Sequence, residues 1–196
     1  RQHFEFRLGL DVDAQDAGLD RGGQFGGGLA DPGKHDLLRR NAGGQFRPVL
    51  GYPDDLFSAE VEQNVRPQYL VLKYAGLAMV RGGGGSIVAI SSTAASFSNR
   101  YLSAYCAGKA AVEQLVRVAA DELGEKNIRV NAVGPGLTNT EATGGMFLNE
   151  ALVQRFLDQQ PLGRPGQAMD QARAIRFLVG PESTWITGQC LNVDGG

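Results

Sequence analysis

The chain has 196 residues, 42% of them hydrophobic, and a formal net charge of −2, which suits one soluble globular domain. Its scattered, nearly balanced charge leaves no electrostatic footprint for nucleic acid, and no stretch reaches the apolar length of a membrane span. No basic-then-apolar leader is read, and Cys106 and Cys190 fit no metal or redox spacing. Both cysteines are therefore expected to be free thiols in a reducing cytoplasm.

Residues 1–35 carry a single valine, Val12, and no isoleucine, so they lack the Val/Ile runs of buried parallel strands. Phe4, Phe6, Leu8, Leu10 and Val12 alternate with Glu5, Arg7, Gly9, Asp11 and Asp13, a period of two that predicts a half-exposed strand. Gly22, Gly26 and Gly28 have the spacing of a phosphate-binding turn, Gly-x-x-x-Gly-x-Gly. Such a turn comes after a buried strand and opens a helix. Here an Asp-rich stretch precedes the glycines, and Pro32-Gly33 interrupts any helix beyond them, so no phosphate site is assigned. His3 and His35 lie in this anomalous segment, and no metal site is expected.

From Gly44 to Tyr52 the chain reads as a loop. Asp54 and Asp55 suit a helix start, and the helix runs through Leu56, Phe57 and Val61 toward Asn64. Pro67 is expected to re-initiate it, with Tyr69, Leu70, Leu72, Tyr74 and Leu77 continuing to Val80. Ser86 to Ser92, entered from Gly82 to Gly85, predicts a buried parallel strand. From Ser103 the period turns helical, with Ala104, Ala107, Ala111, Leu115, Val118 and Leu123 on one side. Ser103 is the expected N-cap and Asn127 the expected stop. Ile128 to Val133 is a second buried strand, and Pro135-Gly136 turns the chain sharply. Residues 141–160 predict an apolar helical lid, Gly163 to Gly166 a break, and Ala174, Ile175, Phe177 and Leu178 a further helix before the final strand.

Tyr105 and Lys109 stand four apart, so they share one helix face. A phenol with a pKa of ~10 is a poor base at neutral pH. An ammonium held about 6 Å away at an effective dielectric of about 20 contributes roughly 2.8 kcal/mol, enough to lower that pKa usefully. Ser92, at the end of its strand, is placed to meet a substrate oxygen beside the phenol. A surface tyrosine and lysine on an amphipathic helix would show the same spacing.

Further motifs decide between these. Ser91-Ser92 followed thirteen residues after Ser92 by Tyr105-x-x-x-Lys109 resembles the active site of the short-chain dehydrogenase/reductases. Asn41-Ala42-Gly43 resembles the motif after that family's fourth strand, and Asn64 falls where it keeps a helical asparagine. Asn131 to Thr140 resembles its nicotinamide-holding strand and loop, and Thr187 to Gly196 its last strand. The likeness covers roughly Asp36 to Gly196, in order. Arg39 and Arg40 depart from the fourth-strand pattern, since a buried unpaired arginine is expensive. The abrupt start suggests that residues 1–35 are a replaced terminus or were read in a shifted frame.

The resemblance implies a doubly wound α/β domain of Rossmann type, with strand order 3-2-1-4-5-6-7 and a first half that is truncated or divergent here. It implies an NAD(P)-dependent oxidoreductase in which Tyr105 is the acid/base, Lys109 its modulator and ribose ligand, Ser92 the partner of the substrate oxygen and Asn64 the holder of a relay water. Asn41, Ala42, Gly43, Pro135, Gly136, Thr138 and Thr140 would complete the cofactor site, Thr138 replacing a residue more usually apolar. NAD and NADP stay open, because the discriminating second strand is absent. The lid implies a hydrophobic or acyl small-molecule substrate, and the helices of Asn64 and Tyr105 imply a homodimer or homotetramer. Asn41 to Phe46 also resembles enoyl- and dienoyl-coenzyme A reductases, and a silent oligomer-forming fragment unable to bind dinucleotide is the contrasting expectation.

Overall fold

The computed structural model describes residues 44–196. Asn41, Ala42 and Gly43 lie outside the described residues, as do Arg39, the three spaced glycines and the alternating segment from Phe4 to Val12. Helix α1 (Asp54–Gly82) leads to strand β1 (Gly85–Ile90), helix α2 (Ser103–Gly124) and strand β2 (Ile128–Pro135). Strand β3 (Thr138–Asn139), the short helices α3 (Gly144–Phe147) and α4 (Glu150–Leu157), and strand β4 (Gly166–Gln167) form the next connection. Helix α5 (Ala168–Val179) and strand β5 (Cys190–Val193) close the sequence.

The main sheet is parallel with order β1-β2-β5. β1 aligns on β2 from Gly85 opposite Ile128 to Ile90 opposite Val133, and β5 from Cys190 opposite Ala132 to Val193 opposite Pro135. A parallel sheet needs both faces covered, and alternation along the strands supplies them. Ile87, Ala89, Val130 and Ala132 pack against Leu72 of α1 and Val112, Val116 and Ala120 of α2. Val112, Val116 and Val130 are fully buried, each contributing about 1.5–3 kcal/mol of apolar transfer energy. Ser86 and Arg129 point the other way, where both bond the Leu178 carbonyl of α5. The layers are helix, sheet, helix: a doubly wound α/β arrangement of Rossmann type.

Two expectations are corrected here. Pro67 does not restart a helix, because α1 runs unbroken for 29 residues. Proline removes one ladder bond, and the packing of Leu72 and Gly76 in the second half holds the axis. Ser103 is the first helical residue rather than the cap. Leu102 occupies the cap position, buried and without a capping side chain, and its carbonyl accepts the Cys106 N–H at 2.9 Å. Asn127, three residues past the end of α2, takes the left-handed conformation at φ 58°, which asparagine tolerates better than most side chains.

The C-terminal segment is held by two side chains of β2. Arg129 donates to the carbonyls of Leu178, Gly180 and Ile186 and to the Ser183 hydroxyl. Asn131, fully buried, donates to the Ile186 carbonyl and accepts from the Gln189 N–H. No helix among the described residues is long and apolar enough to cross a membrane.

Candidate active site

β1 ends at Ile90, and the next residues turn into a short 3-10 helix at Thr93–Ala95. Ser92 caps that turn, its Oγ accepting from the Ala94 N–H at 3.2 Å, and it also hydrogen-bonds the Tyr105 phenol. Tyr105 lies in the first turn of α2 and Lys109 one turn on. The Lys109 ammonium stands 5.7 Å from the Tyr105 ring centroid and donates to the Ile90 carbonyl at 3.2 Å. Ser92, Tyr105 and Lys109 therefore meet where the strand ends and the helix begins. Ser91 ties the two elements together, its Oγ donating to Glu113 and to the Lys109 carbonyl.

Asn64 reaches this junction from α1. Gly108 sits between Tyr105 and Lys109, and a Cβ there would come within 2.9 Å of the Asn64 Cβ, so only glycine admits this helix approach. The Asn64 Nδ2 donates to the Glu60 carbonyl at 2.9 Å, a local backbone bond.

The electrostatics differ from the expectation that Lys109 lowers the phenol. Burial raises the Tyr105 pKa; the Ser92 hydrogen bond works against this, while Cys106 and Glu60 add to it. Burial also lowers the Lys109 pKa. The ammonium lies over the ring and bonds a carbonyl, and the cost of desolvating each charge is the larger effect. The resting site thus holds a protonated phenol, a proton donor. Its buried ammonium has three donors and, among the described residues, one protein acceptor, the Ile90 carbonyl. That donor set fits a hydroxyl-bearing group such as a ribose.

The loop after β2 is less open to a ligand than expected. The Gly136 N–H donates to the Val193 carbonyl, and the Pro135 carbonyl accepts from Thr93. Thr138 turns its hydroxyl inward: it is buried, donating to the Gly136 carbonyl and accepting from Gln171 Nε2 at 3.1 Å. A polar residue at this position demands a buried polar partner, and Gln171 of α5 supplies it while also bonding the Val193 carbonyl. Thr138→Val should cost about 1 kcal/mol in urea unfolding, and less than half that in a Gln171→Ala background. Equal costs in both backgrounds would break this pairing. Thr140 is engaged with the Thr143 hydroxyl in a capping box, which sets its orientation at the start of the lid. The lid is helical as predicted, though Leu148 is 87% exposed.

Sequence reasoning missed two residues. Gly44 has φ +75°, and a Cβ there would lie 2.8 Å from the Tyr105 Cβ and 3.0 Å from a Glu60 oxygen. Glu60 is 2% exposed and its carboxylate accepts from the Gln45 N–H and the Tyr52 hydroxyl. The available signal was spacing: Glu60 stands one helical turn before Asn64, on the same face.

Known proteins match this arrangement. The family model described as enoyl-(acyl carrier protein) reductase matches residues 27–196. The chain is 39% identical over 164 residues to 7alpha-hydroxysteroid dehydrogenase of Escherichia coli (strain K12), covering 84% of this chain and 64% of that protein. It is 34% identical over 169 residues to a 3-oxoacyl-[acyl-carrier-protein] reductase of Chlamydia muridarum, covering 86% and 67%. Among solved structures, a short-chain type dehydrogenase/reductase from Mycobacterium ulcerans superposes with a TM-score of 0.76 at 39% identity, over 79% of this chain and 56% of that one. A 7 alpha-hydroxysteroid dehydrogenase complexed with NADH and 7-oxo glycochenodeoxycholic acid gives 0.73 at 38% identity, over 79% and 60%. The chain thus spans 64% of the length of the first of these relatives. With the family model, these relatives and the fold in agreement, the chain belongs to the short-chain dehydrogenase/reductase family.

Proposed function

We propose that residues 36–196 form the catalytic half of an NAD(P)-dependent oxidoreductase acting on a carbonyl or alcohol. The observation that carries this is the junction of Ser92 and Tyr105 where the strand ends and the helix begins, with the Lys109 ammonium 5.7 Å from the Tyr105 ring centroid. The nicotinamide, when bound, supplies or takes up the hydride at the substrate carbon. In reduction, Ser92 holds the carbonyl oxygen, and Tyr105 gives its proton to that oxygen as negative charge develops there. Lys109 stabilises the phenolate left behind and offers its remaining donors to the ribose. Asn64 holds the water through which Tyr105 is reprotonated. Pro135, Gly136 and Thr140 face the cofactor, with Thr138 shaping the loop from within, and Asn41, Ala42 and Gly43 are assigned to the same cofactor by their motif alone.

Phe46, Phe97 and Tyr101 are exposed on two segments joined by the bond from the Arg47 N–H to the Tyr101 carbonyl. With the half-buried Leu152, Val153 and Phe156 of α4, they favour a hydrophobic or acyl substrate. The intact Tyr105 favours carbonyl over enoyl chemistry. Tyr69, Val71, Leu77 and Val80 on α1 and Val118 on α2 are exposed, which supports a homo-oligomer through these helices. Both cysteines are free, in keeping with the cytoplasm.

The test is isotopic. The chain is incubated with millimolar NADH or NADPH deuterated at the reactive nicotinamide carbon and a panel of hydrophobic ketones and 3-oxoacyl thioesters. Deuterium is expected at the carbinol carbon of the product, on one face. Transfer to none of these carbonyls, with deuterium entering an enoyl thioester instead, would replace this reading with the enoyl one.

A further inference from the structure

α1 carries a carboxylate into the active site from below. Glu60 is 2% exposed, and burying a charge is tolerated only where donors surround it. The Gln45 N–H points at both of its oxygens, at 3.4 and 3.3 Å, and the Tyr52 hydroxyl donates to Oε2. Facing donors alone, the group serves as an acceptor. These bonds fasten both ends of the segment from Gly44 to Tyr52, and the Arg47 N–H fastens its middle to the Tyr101 carbonyl at 2.7 Å. Gly44 is thereby laid on the Tyr105 side chain. One point, the place of its missing Cβ, lies 3.0 Å from Glu60 Oε1 and 2.8 Å from Tyr105 Cβ. The carboxylate thus lies about one methyl group's width from the Cβ of the tyrosine, at the base of its side chain. The Glu60 carbonyl, meanwhile, holds the Asn64 side chain.

We propose that Glu60 is a positioning residue for Tyr105: its buried carboxylate seats the segment 44–52 on the tyrosine and faces the base of that side chain. The inference rests on reading Tyr105 as the proton donor. The other groups facing Tyr105 are Ser92 from the end of β1 and Cys106 and Lys109 from α2 itself; Tyr52 and Arg47 lie on the far side of the carboxylate. Among these Glu60 is the one carboxylate, and it acts in the same direction as burial, raising the phenol. Removing the charge while keeping the shape should let the phenol ionise more readily.

The experiment uses the full chain with tyrosine labelled with 13C at the ring ζ carbon, without nucleotide. The Tyr105 resonance is assigned by its loss in Tyr105→Phe, and its titration is followed in the parent, E60Q, E60D and Tyr52→Phe. E60Q should move the Tyr105 midpoint to lower pH. E60D, which keeps the charge, should leave it near the parent while the Gln45 amide exchanges faster. Tyr52→Phe should also leave the midpoint in place. A folded E60Q whose Tyr105 titrates as in the parent would overturn the proposal. Should E60Q not fold, the parent decides: on acidification the Gln45 amide and the Tyr105 ring resonances should move together along one curve, and independent or absent movement overturns it. None of these readouts needs turnover. A Tyr105 coupled to Glu60 in a chain that transfers no hydride would leave this inference standing and sink the oxidoreductase reading.

Discussion

Tyr105→Phe should lower hydride transfer about a thousandfold, the middle of the range for a lost general acid, while nucleotide binding changes less than twofold. The substitution removes one hydroxyl, bonded to Ser92, from a ring that stays packed under Gly44. Lys109→Ala should damage both properties, because its ammonium is asked to stabilise the phenolate and to hold the ribose. The measurement is single-turnover transfer at saturating nucleotide, with nucleotide affinity titrated separately. Tyr105→Phe as active as the parent would end the acid assignment. Loss of binding and turnover together in Tyr105→Phe would recast the tyrosine as a ligand for the nucleotide.

An effect of similar size is expected on dinucleotide affinity. In this fold the pyrophosphate is held by backbone N–H groups and the helix dipole after the first strand, and residues 1–35 show neither the buried strand nor its helix in their sequence. The described residues offer the ribose side, chiefly the Lys109 ammonium with its one protein acceptor. Several charge-assisted hydrogen bonds at roughly 1.5–3 kcal/mol each are then missing, at least ~4 kcal/mol in all or about a thousandfold. The 196-residue chain should bind NADH and NADPH in the millimolar range, by calorimetry or nicotinamide fluorescence. Micromolar binding of either would mean that Gly22, Gly26 and Gly28 build a working phosphate site after all.

The meeting of Ser92, Tyr105 and Lys109 was legible because ordered motifs along the chain resemble one family; the tyrosine–lysine spacing alone would equally fit a surface pair. A β-branched run ending in Ser91-Ser92 and a tyrosine and lysine one turn apart can be read without knowing what packs on them. The central strands were legible for a related reason, since β2 is buried along nearly its whole length and is largely apolar. Everything settled by a partner distant in sequence was hidden. Pro67 looked like a boundary because its cost is local, whereas the packing that overrides it comes from β1 and α2. Thr138 looked like a ligand residue because Gln171, thirty-three positions away, is needed to show that its hydroxyl faces inward. The direction of the Tyr105 shift was misjudged for the same reason. The helical spacing points to the lysine, but burial and Glu60 are tertiary.

The bonds from Asn131 and Arg129 to the C-terminal segment bear on how the last strand finds its alignment. Between α5 and β5 there is no tight hairpin to set the pairing, since the strands are parallel and the connection is long. Asn131 reads two backbone groups, the Ile186 carbonyl and the Gln189 N–H, at 2.9 and 3.0 Å. A slip of one residue would unmatch both at once inside a dry core, and would turn each side chain of β5 to the opposite face. The asparagine therefore acts as a key for register, admitting one alignment and rejecting its neighbours. Because β5 in turn receives the Gly136 N–H on its Val193 carbonyl, the position of the loop beside the reacting groups is inherited from that key. A residue that touches nothing reactive thus decides where the wall of the site stands.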